Sequence, residues 1–220
     1  MNIDPKLKIA GDKTVEDWIN TVNKIKNNAK VDWNKIGNDF LLKRIKTRYF
    51  ASIKRIDKPK AKEGEGFAIV TIQCCLIEFL SSLRTGFIYG LEPPCGEEKM
   101  KSSKIFIDFI RYSPPFKDHF DSSDKASSFY SDVRCALIHG ARTKNHWRIH
   151  AEDANGEKVY SKKIKEGDLI YWAGAKSEKV LFRDEFQKAF ETYLKIYIKE
   201  LTQTKKLQHN FIKVFCELCK

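Results

Sequence analysis

No glycine-rich phosphate loop, nucleophile elbow or internal repeat occurs in these 220 residues. P-loop nucleotide hydrolysis, α/β-hydrolase chemistry and a solenoid are therefore not expected. Metal-ligand spacing is nearly as scarce. Cys216 and Cys219 form one Cys-x-x-Cys, and neither a second such pair nor a spaced His pair accompanies it to complete a zinc site. The six cysteines, Cys74, Cys75, Cys95, Cys135, Cys216 and Cys219, fall mostly inside helical patterns, which suits reduced thiols better than a disulfide frame. No metal and no cofactor is expected.

Long apolar runs are also missing. The longest, Phe67 to Leu80, is broken by Gln73 and Glu78 and is shorter than a bilayer-spanning helix, and Met1-Asn2-Ile3-Asp4-Pro5-Lys6 has no signal-peptide core. The expectation is a soluble, cytoplasmic protein with no membrane partner. Acidic residues are in deficit, 29 against 41 Lys and Arg, which leaves a formal charge of +12. The excess gathers at Lys58 to Lys62, Lys99 to Lys104, Arg142 to Arg148 and Lys162 to Lys165. Each cluster alone is an ordinary solvated surface, but together they predict a polyanionic partner.

What is present is enough for one packed core. A hydrophobic content of 42% with 12% aromatics is globular, and the length suits a single domain over residues 1–220. Thr14, followed by Glu16 and Asp17, caps a helix with a Trp18, Ile19, Val22 and Ile25 stripe. Asn38 and Asp39 open a second helix, basic on its outer face. Phe67 to Leu83 is apolar nearly all round and reads as the central core helix. Within it Glu78 either reaches the surface or meets a cation, and Arg134 is the candidate. A short helix over Lys104 to Arg111 ends at Tyr112-Ser113-Pro114-Pro115, and from Asp184 a long one carries Phe186, Phe190, Tyr193, Leu194, Tyr197 and Leu201 on one stripe. Between them, Trp147 to His150 and Lys158 to Tyr160 flank Asn155-Gly156, a strong hairpin signal, with Leu169 to Trp172 and Val180 to Phe182 as further strands. The fold class expected is all-α, an antiparallel bundle of four or five helices with a small β-hairpin insertion near 147–182.

The chain's chemistry gathers in Phe129 to Trp147. Ala126, Phe129, Tyr130, Val133, Leu137 and Gly140 recur at steps of three and four, so the run before His139 is a helix, started by Ser122, Ser123 and Asp124 and stopped near Gly140. Arg134 and His139 lie five positions apart, roughly 140° around an ideal helix. They meet only if the helix loosens at its end or if two copies of it face each other. An Arg beside a His suits a phosphodiester: the guanidinium fork holds non-bridging oxygens, and the imidazole moves a proton near neutral pH.

The run Phe129 to Lys144, with Arg134-x4-His139, resembles the active-site helix of the HEPN superfamily. Gly66 to Leu80, followed by Arg84-Thr85-Gly86, resembles an earlier core helix of its uncharacterised bacterial members. The similarity covers about residues 40 to 200. It implies a metal-independent endoribonuclease, in a bacterial toxin or phage-defence role, with Arg134 and His139 catalytic. The same resemblance implies RNA as partner, a homodimer through the motif helix, and an antitoxin or defence-system partner. Tyr130, one turn before Arg134, is a candidate to orient it by a hydrogen bond, and Arg142, Lys144, His146 and Arg148 are candidates to hold flanking phosphates. Trp147, Arg148, His150 and Tyr160 could clamp a single strand. Where family members most often carry Asn, Asp or His after the motif Arg, this chain has Cys135. That departure keeps a second reading open, a catalytically silent module that binds RNA or protein and dimerises.

Overall fold

A computed structural model of the chain describes residues 3–57, 64–90, 101–151, 168–172 and 178–220. It is mostly helical, at 67%, with seven helices and small sheets among the described residues. Two compact units are distinguished: residues 1–54, 79–99 and 194–220 make one, and residues 55–78 and 100–193 the other. The hairpin signal at Asn155-Gly156, Tyr160, and the clusters Lys58 to Lys62 and Lys162 to Lys165 lie outside the described residues.

In the first unit, Thr14 caps the helix Val15–Lys26 through a reciprocal box with Asp17, as the sequence pattern predicts. Val15, Trp18 and Val22 are buried, whereas Ile19 is 47% exposed and leaves the expected stripe. Strands β1 (Lys8–Ala10) and β2 (Lys13–Thr14) pair antiparallel ahead of that helix. The next helix runs over residues 33–56 and includes π turns at Gly37–Leu42 and Lys46–Phe50. It opens at Trp33 rather than at Asn38, because the Asp32 carboxylate accepts the Lys35 N–H at 3.1 Å and caps it there. Asp39 instead lies within Lys13, Lys35 and Lys43. Arg44 and Arg48 donate to the Ile9 and Lys8 carbonyls, each at 2.6 Å, and tie this helix to β1. The helix Lys205–Glu217 packs Phe211 and Phe215 against Trp18, at 5.9 and 5.2 Å between centroids, and Phe40 meets Trp18 edge-on at 4.9 Å.

In the second unit, aromatic rings dominate the core. The helix Ser102–Tyr112 supplies Phe106 and Phe109, Phe116 and Phe120 follow it, and Phe186, Phe190 and Tyr193 come from the helix Arg183–Leu201. Phe116 sits 5.2 Å from Phe190 and 5.6 Å from Phe186, and Phe129 stacks on Phe106 at 6.2 Å. Strands β3 (Trp147–His150), β4 (Ile170–Trp172) and β5 (Lys179–Phe182) form one sheet in the order β3-β5-β4. Among the described residues β3 runs parallel to β5, and β4 is antiparallel to β5, while the expected hairpin partner of β3, Lys158 to Tyr160, lies outside them. Parallel pairing needs a long crossover, which local turn residues do not announce.

The helix Glu65–Thr85 is longer than the apolar run that signalled it. At 21 residues it spans about 31 Å, so by length and composition it could cross a membrane, with a mean hydropathy of 1.8. Yet more than half of its most apolar stretch is buried inside the protein, through Ile69, Val70, Cys74, Leu76, Ile77, Leu80 and Leu83. In the second unit its Gln73 amide donates to the Arg183 carbonyl at 2.9 Å. In the first, Leu83 and Arg84 at its end offer their carbonyls to the Tyr197 hydroxyl at 3.2 Å and the Asn210 amide at 2.8 Å.

Gly86 follows that end in a left-handed conformation, φ +76°, and a Cβ there would sit 2.6 Å from Asn210 Oδ1. Gly90 is also left-handed, at φ +82°, but has open space around it. Gly86→Ala therefore combines backbone strain with a collision and should lower unfolding free energy by about 2 kcal/mol or more, against about 1 kcal/mol for Gly90→Ala. Urea denaturation of the two variants checks this; equal losses would show that the Asn210 contact relaxes freely.

Candidate functional site

The motif helix spans residues 123–140 in the second unit. Ser122 caps it, its hydroxyl accepting the Lys125 N–H at 3.3 Å. A π turn occupies Tyr130–Cys135 and an α turn Ala136–Gly140. The left-handed residue that ends the helix is Ala141, φ 50° and ψ 32°, so Gly140 is the last helical residue and not the cap. π turns recur at functional sites, but the helix over 33–56 has them too, and this one says little by itself. It ends at Cys135, so nearly all of the helix between Arg134 and His139 is α, and roughly 140° still separates the two side chains in one copy.

Arg134 is the centre of the arrangement. Its Nε donates to Glu78 Oε1 at 2.8 Å, and its Nη2 donates to the same oxygen. The side chains are 16% and 21% exposed, so the pair is mostly out of water. Burial works against the guanidinium's charge, but Glu78 outweighs it through both its field and the hydrogen bonds, and Arg134 holds its proton more tightly than usual. Nη1 approaches Cys135 Sγ at 3.8 Å. Tyr130 offers its ring face, 5.5 Å from the guanidinium carbon, instead of the expected hydrogen bond. Burial pushes the Tyr130 hydroxyl up, against a lowering hydrogen bond with Ser102. Arg134, Glu78, Tyr130 and Cys135 are thus brought together. Among the described residues, Nη1 and Nη2 each have one N–H left over from these contacts.

His139 stands apart from that cluster. It is exposed on the last turn beside Ile138, which is 43% exposed, and no hydrogen bond or ion pair joins it to Arg134 among the described residues. Arg142, Lys144 and His146 follow it on an exposed loop. Arg148 differs from them: on β3 it pairs with Glu178 at 3.0 Å, which competes with a phosphate for the guanidinium. Trp147 is buried, with its ring 5.6 Å from Phe129 and 5.2 Å from Trp172, so it fills the core and does not stack on a base. Burial and the nearby Arg148 lower the affinity of His150 for a proton.

One residue in the centre of the site carries no catalytic motif and is easily passed over. Asp132 is 7% exposed. Its Oδ2 accepts from Ser128 Oγ at 2.9 Å, and its Oδ1 accepts from Ser131 Oγ and Asn145 Nδ2, each at 3.0 Å. The signal for it is a carboxylate at a step of three from Phe129 and four to Ala136, on the apolar face of the helix.

Elsewhere, among the described residues, no group of three or more His, Cys, Asp or Glu is placed to hold a metal ion. Burial and then Cys216 push the Cys219 thiol up to about 11, which keeps this half of the Cys-x-x-Cys protonated and a poor ligand near neutral pH. No protein-family model, curated protein or solved structure matches this chain.

The pairing of Arg134 with Glu78 has a measurable size. Removing one partner leaves a part-buried charge, so Glu78→Gln should lower unfolding free energy by about 1–3 kcal/mol. In a double-mutant cycle with Arg134→Ala the coupling should be about 1–2 kcal/mol. A coupling near zero would mean that the ion pair does not hold in solution.

Proposed function

We propose that this protein is a metal-independent endoribonuclease of HEPN type, acting as a toxin or phage-defence effector. The observation that carries this reading is the Arg134 guanidinium, oriented by Glu78 and backed by the Tyr130 ring. It lies on one helix with an exposed His139 and ahead of a cationic loop. In this mechanism the RNA 2′-oxygen attacks the adjacent phosphorus, the bond to the 5′-oxygen breaks, and a 2′,3′-cyclic phosphate and a 5′-hydroxyl result. Arg134 neutralises charge growing on the non-bridging oxygens, and His139 passes a proton to or from the reacting oxygens. Arg142, Lys144 and His146 hold neighbouring phosphates.

The angle between Arg134 and His139 asks for a second copy. A homodimer through the motif helices sets Arg134 of one chain against His139 of the other, and the exposed Ile138 lies where such a contact would form. The second reading, a silent RNA- or protein-binding module, is favoured by Cys135, whose sulfur takes up one guanidinium N–H.

Purified protein incubated with total tRNA and a structured RNA in EDTA separates the two. Cleavage leaving cyclic-phosphate ends should fall by about 10²–10³-fold in Arg134→Ala and by about 10²–10⁴-fold in His139→Ala. Binding that weakens with salt, with no cleavage to lose, would instead identify the module.

A further inference from the structure

The loop after His139 is held more firmly than a simple connection requires. Ala141, Asn145 and His146 all have positive φ, at 50°, 49° and 62°, and non-glycine residues keep such conformations where their surroundings enforce them. The enforcement converges on Asp132. Its carbonyl accepts the Lys144 N–H at 2.9 Å while its carboxylate accepts the Asn145 amide, so one helical residue grips two successive loop residues. Ser128, which donates to the other carboxylate oxygen, accepts from Trp147 Nε1 and Lys179 Nζ, each at 3.1 Å. Thr143 Oγ1 closes the bend by donating to the Trp147 carbonyl at 2.7 Å, and His146 offers its own carbonyl to the Lys179 N–H at 3.2 Å.

A buried carboxylate is a costly choice for a fastener, and what it fastens explains the choice. Arg142 and Lys144 crowd positive charge onto a few exposed residues, and such a loop repels itself. Asp132 puts a negative charge beneath it. The carboxylate already accepts three hydrogen bonds from Ser128, Ser131 and Asn145, so the loop cations stay outward for another anion.

We infer that Asp132 is a positioning residue which, through Asn145 and Ser128, presets the loop Ala141–His146 as a phosphate-binding arm for the RNA strand next to His139. This rests on the ribonuclease reading and adds to it how the substrate backbone is held. Asp132 touches no substrate. It acts through the loop, and preorganisation of this kind lowers the entropy that binding must overcome.

Asn145→Gly is the sharpest test, because glycine keeps the left-handed backbone and removes only the amide that reaches Asp132. Asp132→Asn is the second variant, with thermal unfolding of both recorded. Binding of a short single-stranded RNA with 2′-O-methyl groups, which cannot be cleaved, is followed by anisotropy in EDTA from about 50 to 200 mM salt. Both variants should bind about 5–10-fold more weakly, with the slope of log K against log salt reduced by about 0.7 for each phosphate that the loop no longer neutralises. On cleavable RNA the loss should fall on KM, with kcat changed less than twofold. The double variant should be no worse than Asp132→Asn. A lower unfolding temperature with unchanged affinity and slope would make the network purely structural and overturn the proposal. If wild type binds RNA and the variants bind it equally, this inference alone fails; if wild type binds no RNA, the ribonuclease reading fails with it.

Discussion

The second unit is arranged around one electrostatic constraint, the need of Glu78 for a cation. It sits in a helix whose neighbouring Leu76, Ile77 and Leu80 are at most 1% exposed, where an unpaired carboxylate is expensive. Arg134 meets that need with two hydrogen bonds to one oxygen. The consequence reaches beyond stability. A long, flexible side chain is reduced to one orientation, with the Tyr130 ring on one face and the Cys135 sulfur at its edge. A guanidinium fixed in this way needs little reorganisation to meet an anion, a property that suits groups acting on developing charge.

Much of this was legible in the sequence, and the reasons differ by element. The Thr14 and Asp17 box, the Phe186 to Leu201 stripe and the apolar helix around Cys74 are local patterns, and each folds as read. The Glu78 and Arg134 pair was half legible: a charge amid apolar residues either reaches water or meets a cation, and only the packed structure decides for Arg134. The sheet was not. Its β3 and β5 strands pair across 31 residues, from Trp147 to Lys179, and no turn residue between them states that register. The start of the helix over 33–56 was misplaced because Asp32 and Asp39 are equally good caps on paper, and only the three lysines around Asp39 decide between them. Asp132 escaped for the opposite reason. A carboxylate in mid-helix usually faces water, and its contacts with Asn145 and, through Ser128, with Lys179 exist only once the chain has turned back.

The cations of the site fall into two groups that net charge does not distinguish. Arg148 lies against Glu178 and Arg134 against Glu78, whereas Arg142 and Lys144 are exposed on the loop that Asp132 holds. A formal excess of +12 therefore says little about where a polyanion binds. The placement of the carboxylates says more, since each one either occupies a cation or leaves it outward. In this unit two shielded carboxylates that contact the motif helix or lie on it, Glu78 and Asp132, act on different segments: one aims a helix side chain, the other shapes the loop that follows.

Those two roles bear unequally on the competing functions. A module that only binds RNA has use for a preset cationic loop, and Asp132 serves it as well as it serves an enzyme. It has less use for a single arginine partly desolvated and aimed by a part-buried glutamate, because binding energy is gathered more readily from exposed, mobile cations that release counterions. Desolvation strengthens the field of one group at one point, an advantage realised where charge appears during a reaction. The Glu78 and Arg134 pair is therefore the feature that separates the enzyme from the module in physical terms, and Cys135 is the side chain that competes with an anion for the Nη1 side of the guanidinium. A weak thiol acceptor at 3.8 Å yields its N–H to a phosphoryl oxygen far more easily than a carboxylate would, so its presence is compatible with an arginine held ready for an anion.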